Sequence, residues 1–526
     1  MRFKVESVNT VKRYFFNSVN LFLMFLILFL LGLKVYRIVS FDNLAEMREM
    51  NVVKMAAEFA DGRNPYALNT LNASKPYVTN LYGMLSTLWM ALFMCLTKNW
   101  IHLSTLQLAQ LARLILELIG IGIMFLNIKH NTEKNSTILA LFGSLVFLQC
   151  FYRGYPFSGA FPDAMGVTLQ VYLLYQVSKD VKKNVYHPML YAICMIALFF
   201  VKQYFVVAAF GMLIFLILNA DRKCVFQYII SGILGGIITF SVVQLIFSLY
   251  FTETLCLTKI STGFGDWYFS LSQIPGIMIR VIIFVLAIFF GLFFSFKKGN
   301  VDCWKRYDLI QGVCMLVFTA YFAQNHGAYL TYYLQMWTPY IISLGAFCLG
   351  KEYEFDSRKA KCYTATMLTA GVLTLWAIKG IITCVPVSSN IAQEWQNAEK
   401  ILDDYVSKGE VIVSPVLSNY CMKNNIYTHD YGQASYLGQD QLTEYEKQAA
   451  LKKIFPYAGE ILTRYVAYTE DVINRVHNGD YSLIAISNDE YNISEDDLVT
   501  GGYKLVYDQV LVTGWEYNHI YYWGKE

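Results

Sequence analysis

Apolar runs long enough to cross a bilayer recur from about residue 19 to residue 383, separated by short basic clusters. A span needs about 20 predominantly apolar residues to cross a hydrocarbon core of about 30 Å. Inside that core every backbone N–H and C=O must be satisfied within the protein. The chain is therefore predicted to be a polytopic α-helical membrane protein. Composition agrees: 56% hydrophobic and only 15% charged residues over 526 positions leave too little polar surface to cover a soluble core. A net charge of +3 gives no electrostatic footprint for nucleic acid, and no such partner is expected. The eleven cysteines are scattered without a Cys-x-x-Cys pair and read as small core hydrophobes. Cys384 and Cys421 could join in an oxidising compartment. The run 19–39 is long enough to span and lacks a small-residue cleavage site, so it is not a signal peptide.

The charges give a topology. Six basic clusters, Arg2/Lys4/Lys12/Arg13, Lys129/Lys134, Lys179/Lys182/Lys183, Arg222/Lys223, Lys297/Lys298/Lys305/Arg306 and Lys351/Arg358/Lys359/Lys361, are cytoplasmic under the positive-inside rule. The later gaps each hold two spans, predicted at 137–152 and 164–178, 187–201 and 204–220, 225–250 and 274–296, and 307–323 and 331–350. The pair 187–220 is short for two crossings, so its tip must be tight. A last span at 363–383 carries the chain out. The first gap holds three apolar stretches, 19–39, 80–97 and 105–127. Three crossings there would invert every later cluster, so 80–97 is predicted to be an interfacial or re-entrant helix. The result is about eleven spans, N-terminus cytoplasmic and C-terminus extracytoplasmic.

Residues 1–384 form the predicted membrane domain, with a long first outer loop at 40–104. Beyond residue 385 charges become frequent. The segment 394–406 is amphipathic, 411–414 and 482–487 read as short buried strands, and 503–512 and 519–524 as further strands. A small extracytoplasmic α/β domain over 385–526 is expected.

Ionisable residues crowd the predicted outer face. The first loop, FDNLAEMREMNVVKMAAEFADGRNPY, carries Asp42, Glu46, Glu49, Glu58 and Asp61. Its helical pattern puts Met50, Val53, Ala57 and Ala60 on one face, Glu46 and Glu49 share another, and Gly62, Asn64 and Pro65 end the helix. A carboxylate here can act as general base toward an acceptor hydroxyl; the same acids also suit a solvated helix face. Asp163 follows Pro162 where a span opens, as a helix cap or as a ligand of substrate or metal. Lys202 stands alone in a long apolar stretch at a hairpin tip, FVKQYF. Arg113 lies in the outer part of the span 105–127, and His326 with several tyrosines sits at another tip, NHGAYLTYYLQ. Cations converging near the outer leaflet suit a lipid phosphate; snorkelling at the interface is the plainer reading of each.

The order of these motifs resembles the polyprenyl-phosphate-sugar-dependent glycosyltransferases of the GT-C fold, which include protein O-mannosyltransferases and the aminoarabinose transferases of lipid A. The resemblance rests on Glu49, Ala56/Ala57 and the turn Gly62-Arg63-Asn64-Pro65-Tyr66, then the tyrosine-containing segment YVTNLYGMLSTLW (77–89). Arg113, Phe161-Pro162-Asp163, Lys202-Gln203, and Gly327-Ala328 with Tyr332 follow in order. Residues 1 to about 350 are covered. Where the family has Asp or Asp-Glu, this chain has Glu49-Met50, which leaves Glu46 and Asp42 as rivals for the base.

The resemblance implies a sugar donor on polyprenyl phosphate and, as acceptor, a hydroxyl on a surface glycan, lipid or protein. Glu49 would be the base, with Asp163 orienting its partner or holding a divalent cation such as Mg or Mn. Lys202, Arg113 and His326 would bind the donor phosphate, and Glu46, Tyr66, Tyr82 and Tyr332 the sugar or acceptor. A secondary transporter, and a polymerase or ligase using diphosphate-linked donors, are the alternatives. The absence of internal repeats argues against the transporter.

Overall fold

The computed structural model describes residues 2–42, 49–77, 79–132, 136–150, 163–261, 274–297, 302–322, 330–352, 389–428, 430–432, 437–487, 490–513 and 516–525. Among the described residues twelve helices longer than one turn come first: α1 (Arg2–Ser40), α2 (Glu49–Ala60), α3 (Met84–Thr97), α4 (Thr105–Asn131), α5 (Ser136–Cys150), α6 (Asp163–Lys183), α7 (Pro188–Val201), α8 (Val207–Asn219), α9 (Arg222–Ile246), α10 (Ile274–Lys297), α11 (Tyr307–Phe322) and α12 (Leu330–Glu352). The predicted spans fall on these helices with small shifts at their ends. The last predicted span, 363–383, lies outside the described residues. By length and composition α1, α4 and α9 are long and apolar enough to cross a membrane. Helices α7 and α8, with 14 and 13 residues, are only about 20 Å long at 1.5 Å per residue, shorter than a hydrocarbon core.

Local chemistry sets the boundaries. Ser104 and Gln107 form a capping box that starts α4. Pro188 opens α7, where its missing N–H costs nothing. The Asp221 side chain accepts from Cys224 N at 2.8 Å to start α9. Between α7 and α8 the chain turns through one short 3₁₀ segment, Gln203–Val206, the tight tip that the spacing predicts.

One core joins α1 and α4–α12, including Leu30, Phe142, Leu198, Phe215, Tyr228, Phe284 and Tyr340. The helix ends that carry basic clusters meet each other: Lys182 Nζ donates to His130 O, and Asn219 Nδ2 to Lys305 O at 2.9 Å. At the opposite end Ser104 Oγ donates to Asp42 Oδ1 at 2.5 Å, beside Lys423 of the C-terminal part.

Helix α3 covers residues 84–97 of the predicted segment 80–97, after an extended stretch that ends at Gly83. It packs against α2 and α4, with Trp89 Nε1 donating to Ala112 O at 2.9 Å, and its core includes Tyr431 of the C-terminal part. It thus sits in the layer between bundle and tail.

The C-terminal part opens with α13 (Ser389–Val406) and carries β1 (Val411–Val413), α14 (Ser418–Lys423), α15 (Gln439–Lys447), α16 (Ala449–Ile454), α17 (Tyr457–Asn478), β2 (Leu483–Ile486), α18 (Glu495–Thr500), β3 (Lys504–Thr513) and β4 (Glu516–Gly524). The sheet order is β1-β2-β4-β3, with β1 and β2 parallel and the other pairs antiparallel. Its apolar strand β2 is buried at all four residues, as the run LIAI predicts. Cys421 is a buried free thiol; Cys384 lies outside the described residues.

The tail grips the first loop through main-chain carbonyls. The Arg464 guanidinium donates to Leu71 O and Ala73 O, Tyr465 OH to Tyr77 O at 2.6 Å, and Tyr427 OH to Pro76 O at 2.8 Å.

Candidate active site

The polar residues fall into three groups, two of them joined at the end of the bundle under the C-terminal part. The first is built on the hairpin tip. Lys202 follows α7 in extended backbone (φ −165°), its N–H still bonded to Leu198 O at 3.1 Å. Its Nζ lies 3.3 Å from each carboxylate oxygen of Asp163, the first residue of α6. Both side chains are buried. Tyr204 OH donates to the same carboxylate, and the rings of Tyr82 and Tyr204 stand 4.7 and 4.8 Å from the ammonium, close enough for cation–π attraction. Two glycines allow this approach. A Cβ at Gly83 would lie 2.3 Å from Phe200 O, and one at Gly166 would strike the Phe205 ring.

The second group is a turn that reaches the first through Tyr82. Helix α2 ends at Gly62 (φ +77°), where Arg63 N bonds back to Glu58 O at 2.9 Å, a left-handed cap that favours glycine. Asn64 Oδ1 accepts from Tyr66 N at 3.1 Å, and its amide donates to Ile246 O at 2.7 Å, tying the Gly-Arg-Asn-Pro-Tyr turn to the end of α9. Tyr66 is fully buried, edge-on to Tyr250 at 5.3 Å. Asn80 is the hinge: its amide donates to Tyr66 OH at 3.2 Å, its side-chain oxygen accepts from Tyr82 N at 3.0 Å, and its own N–H donates to Glu253 Oε2 at 2.8 Å. Burial pushes the Glu253 carboxyl well above its ordinary range, partly opposed by the Asn80 N–H. Burial, then the nearby Glu253 charge, raise the Tyr66 phenol likewise.

The third group lies inside the bundle. Arg113 Nε approaches Glu117 Oε1 to 3.0 Å, and Lys34 Nζ pairs with the other oxygen of Glu117. The Arg113 contact is one of charge only, since its N–H is not aligned for a hydrogen bond. All three side chains are buried.

Helix α2 is more deeply embedded than its pattern predicts. Glu49, Met50, Asn51, Val52, Val53, Met55, Ala56 and Glu58 are all buried, against α3, α4 and Tyr431. Of the expected stripe, Met50 and Val53 are buried while Ala57 and Ala60 are only partly so, and the buried face takes in Glu49 and Glu58, which excludes a solvated face for these two acids. Glu58 is held by Lys54 at 2.7 Å and by Arg63; burial raises its carboxyl, but these cations outweigh burial and keep it below its ordinary range. Asp42 is spent as a strut, bonded to Ser104, to Lys423 at 2.7 Å and, through its carbonyl, to Asn419 at 3.0 Å.

Of the residues singled out in the sequence, Asp163, Lys202, Tyr82 and Tyr66 thus come together, with Tyr204 and Asn80 as links. Asp163 faces Lys202 and Tyr204, where the sequence reading set it beside the partner of Glu49. Arg113 gives its charge to Glu117. Glu46 and His326 lie outside the described residues, as does the side chain of Tyr332, whose backbone belongs to α12. The sequence reading missed Asn80, Tyr204, Glu253, Lys34 and Glu117. A charge inside a span is itself a signal, and it marks Lys34 and Glu117. Among the described residues no group of three or more His, Cys, Asp or Glu side chains converges. A cation at Asp163 would have to share a carboxylate already held by an ammonium and a phenol, so the described residues do not fit a metal there.

No protein-family profile matches the chain, and no curated protein matches it in sequence. Solved structures do. ArnT from Cupriavidus metallidurans bound to undecaprenyl phosphate aligns over 95% of this chain and 98% of its own, with TM-score 0.51 and 11% identity. The apo state of the same protein aligns over 95% and 97%, with TM-score 0.52 and 11% identity. The likeness shows that this chain shares the fold of ArnT over 95% of its length.

Proposed function

We propose that this protein is a membrane glycosyltransferase that moves a sugar from a polyprenyl-phosphate donor to a hydroxyl of an extracytoplasmic acceptor. The observation that carries the proposal is the buried Lys202, held by Asp163 and two tyrosines at the end of a bundle whose fold is that of a protein solved with undecaprenyl phosphate.

In the proposed reaction Glu49 takes the proton of the acceptor hydroxyl, whose oxygen attacks the anomeric carbon. The bond from that carbon to the phosphate oxygen breaks, its electrons leave with polyprenyl phosphate, and one displacement inverts the centre. Lys202 stabilises the charge that grows on the phosphate, with Arg113 and His326 as further cations. Asp163 and Tyr204 aim Lys202, since a buried ammonium without a partner would be costly. Glu46, Tyr66, Tyr82 and Tyr332 are the residues proposed to recognise the sugar or the acceptor. No step needs a metal. The enzyme would sit in the plasma membrane with its N-terminus cytoplasmic, its C-terminal part outside, and a glycan, lipid or protein as acceptor.

The test is release of polyprenyl phosphate from synthetic polyprenyl-phosphate sugars by purified protein in lipid, wild type against Lys202→Ala. Release lost in the folded variant supports the proposal. Absence of release from any monophosphate donor, with cell-envelope acceptor present, overturns it, and diphosphate-linked donors are then tried. A secondary transporter is the second reading, favoured by the buried Lys34–Glu117–Arg113 group within α1 and α4; uptake driven by an ion gradient would establish it.

A further inference from the structure

Helix α9 is a ruler for the bilayer. Its buried residues are Cys224, Tyr228 and Val243, and its exposed side chains include Ile233, Ile237, Ile238 and Leu245, the surface of a helix that faces lipid. It starts beside Asp221 with Arg222 and Lys223, charges that hold this end at one membrane surface. At about 1.5 Å per residue, Phe240 and Gln244 stand about 27 and about 33 Å from Arg222 along the axis. A hydrocarbon core is about 30 Å thick, so these two residues mark its opposite boundary.

The C-terminal part descends to that level. The elbow between α16 and α17 lies against α9 across a cleft of about 530 Å³, with Phe240, Gln244 and Phe251 on one wall and Lys453, Phe455 and Tyr457 on the other. The elbow has two faces. Leu451 and Ala458 are buried with Cys256 and Leu257, which follow α9, and Phe455 packs on the same cluster. Tyr445 OH donates to Phe455 O at 2.8 Å and fixes the bend. Ile454 points away from this core and is 65% exposed. Lys452, Lys453, Pro456 and Tyr457 are exposed beside it.

We propose that this elbow, Lys452–Tyr457, is a second membrane contact, by which the C-terminal part enters the phospholipid leaflet on its own side of the bundle. The side chains match the depth. Ile454 sits among lipid chains at the boundary, and Tyr457 takes the interfacial position that tyrosines favour. Lys452 and Lys453 extend their ammonium groups outward to lipid phosphates, with their stems along apolar surface. The contact continues the lipid-facing side of α9, which supplies the same surface on the other wall of the cleft. It rests on α9 crossing the bilayer and not on the transfer reading.

The experiment uses two variants of the full-length protein, Ile454→p-benzoylphenylalanine and Tyr457→p-benzoylphenylalanine, in nanodiscs of equimolar phosphatidylglycerol and phosphatidylcholine. Their unfolding midpoints are checked against the wild type. Irradiation followed by mass spectrometry should find phospholipid joined at both positions. The adducts should favour phosphatidylglycerol by about fivefold, the worth of one lysine beside an anionic surface, and Lys452→Gln/Lys453→Gln should bring the ratio to about one. Absence of lipid adducts at both positions in folded protein overturns the proposal. Crosslinks to a second copy of the chain in place of lipid also overturn it, and would make the elbow an interface between protomers. A lipid ratio that the lysine variant leaves unchanged overturns the phosphate contact.

Discussion

Lys202 Nζ is equidistant, at 3.3 Å, from the two carboxylate oxygens of Asp163, 39 residues earlier in the chain. An ammonium centred on a carboxylate in a buried place is a pair in which each partner makes the other tolerable, and four expectations start from it and from its surroundings.

Asp163→Ala leaves the Lys202 charge buried beside two aromatic rings. Unfolding monitored in detergent should show a loss of about 3–5 kcal/mol, the cost of breaking a buried pair from one side. The double variant Asp163→Ala/Lys202→Met should recover part of that loss, because it removes both charges. Equal instability of the single and double variants would mean that the pair carries little of the local stability.

Glu49→Gln keeps the shape of a fully buried side chain and removes its basicity. Polyprenyl phosphate release should fall by about 100-fold or more, the usual contribution of a general base, with the unfolding midpoint unchanged. Release at the wild-type rate would move the base to Glu46, since Asp42 is engaged with Ser104 and Lys423.

Glu253 makes stability depend on pH. Burial raises its carboxyl well above the ordinary value of 4.5, so the folded protein binds this proton more tightly than the unfolded chain. Its contribution is greatest below the ordinary value and is lost as pH rises through the raised folded value. Glu253→Gln retains an acceptor for Asn80 N–H and should flatten that decline. Unfolding midpoints across pH 5–9 should therefore fall with pH more steeply for the wild type than for the variant; parallel curves would exclude the assignment.

Gly83→Ala places a methyl 2.3 Å from one backbone carbonyl and 2.4 Å from the next. Neither can rotate away, so α3 must move from the end of α7, at a cost of about 1–3 kcal/mol, and Tyr82 with it. Release should fall while Gly122→Ala, at an open position, leaves it unchanged.

The helices were legible because a lipid-facing segment announces itself by length and apolarity, and β2 because LIAI is buried on both faces. Lys202 stood out as a lone cation in a long apolar stretch, and the turn at Gly62–Tyr66 as a helix stop. Glu253 was not legible. Its partner is a backbone N–H 173 residues away, a relation that leaves no mark in side-chain pattern. The depth of α2 was hidden for a related reason: its polar side is covered by Tyr431, from a part of the chain that periodicity cannot see. The role of Asp163 depended on which cation the fold would bring to it, and charge spacing along one chain does not choose between Lys202 and Arg113.

The clasp between tail and first loop reads main chain. Arg464, Tyr465 and Tyr427 hold the carbonyls of Leu71, Ala73, Tyr77 and Pro76, groups that every residue type carries. These four bonds therefore survive exchange of the side chains at 71, 73, 76 and 77 so long as the backbone keeps its path, whereas the Lys75 contact with Glu410 and Tyr427 and the packing of Leu71 depend on the residue. Mutational drift in this loop is thereby largely separated from assembly: a lineage could change which molecules the loop greets while inheriting the same fastening.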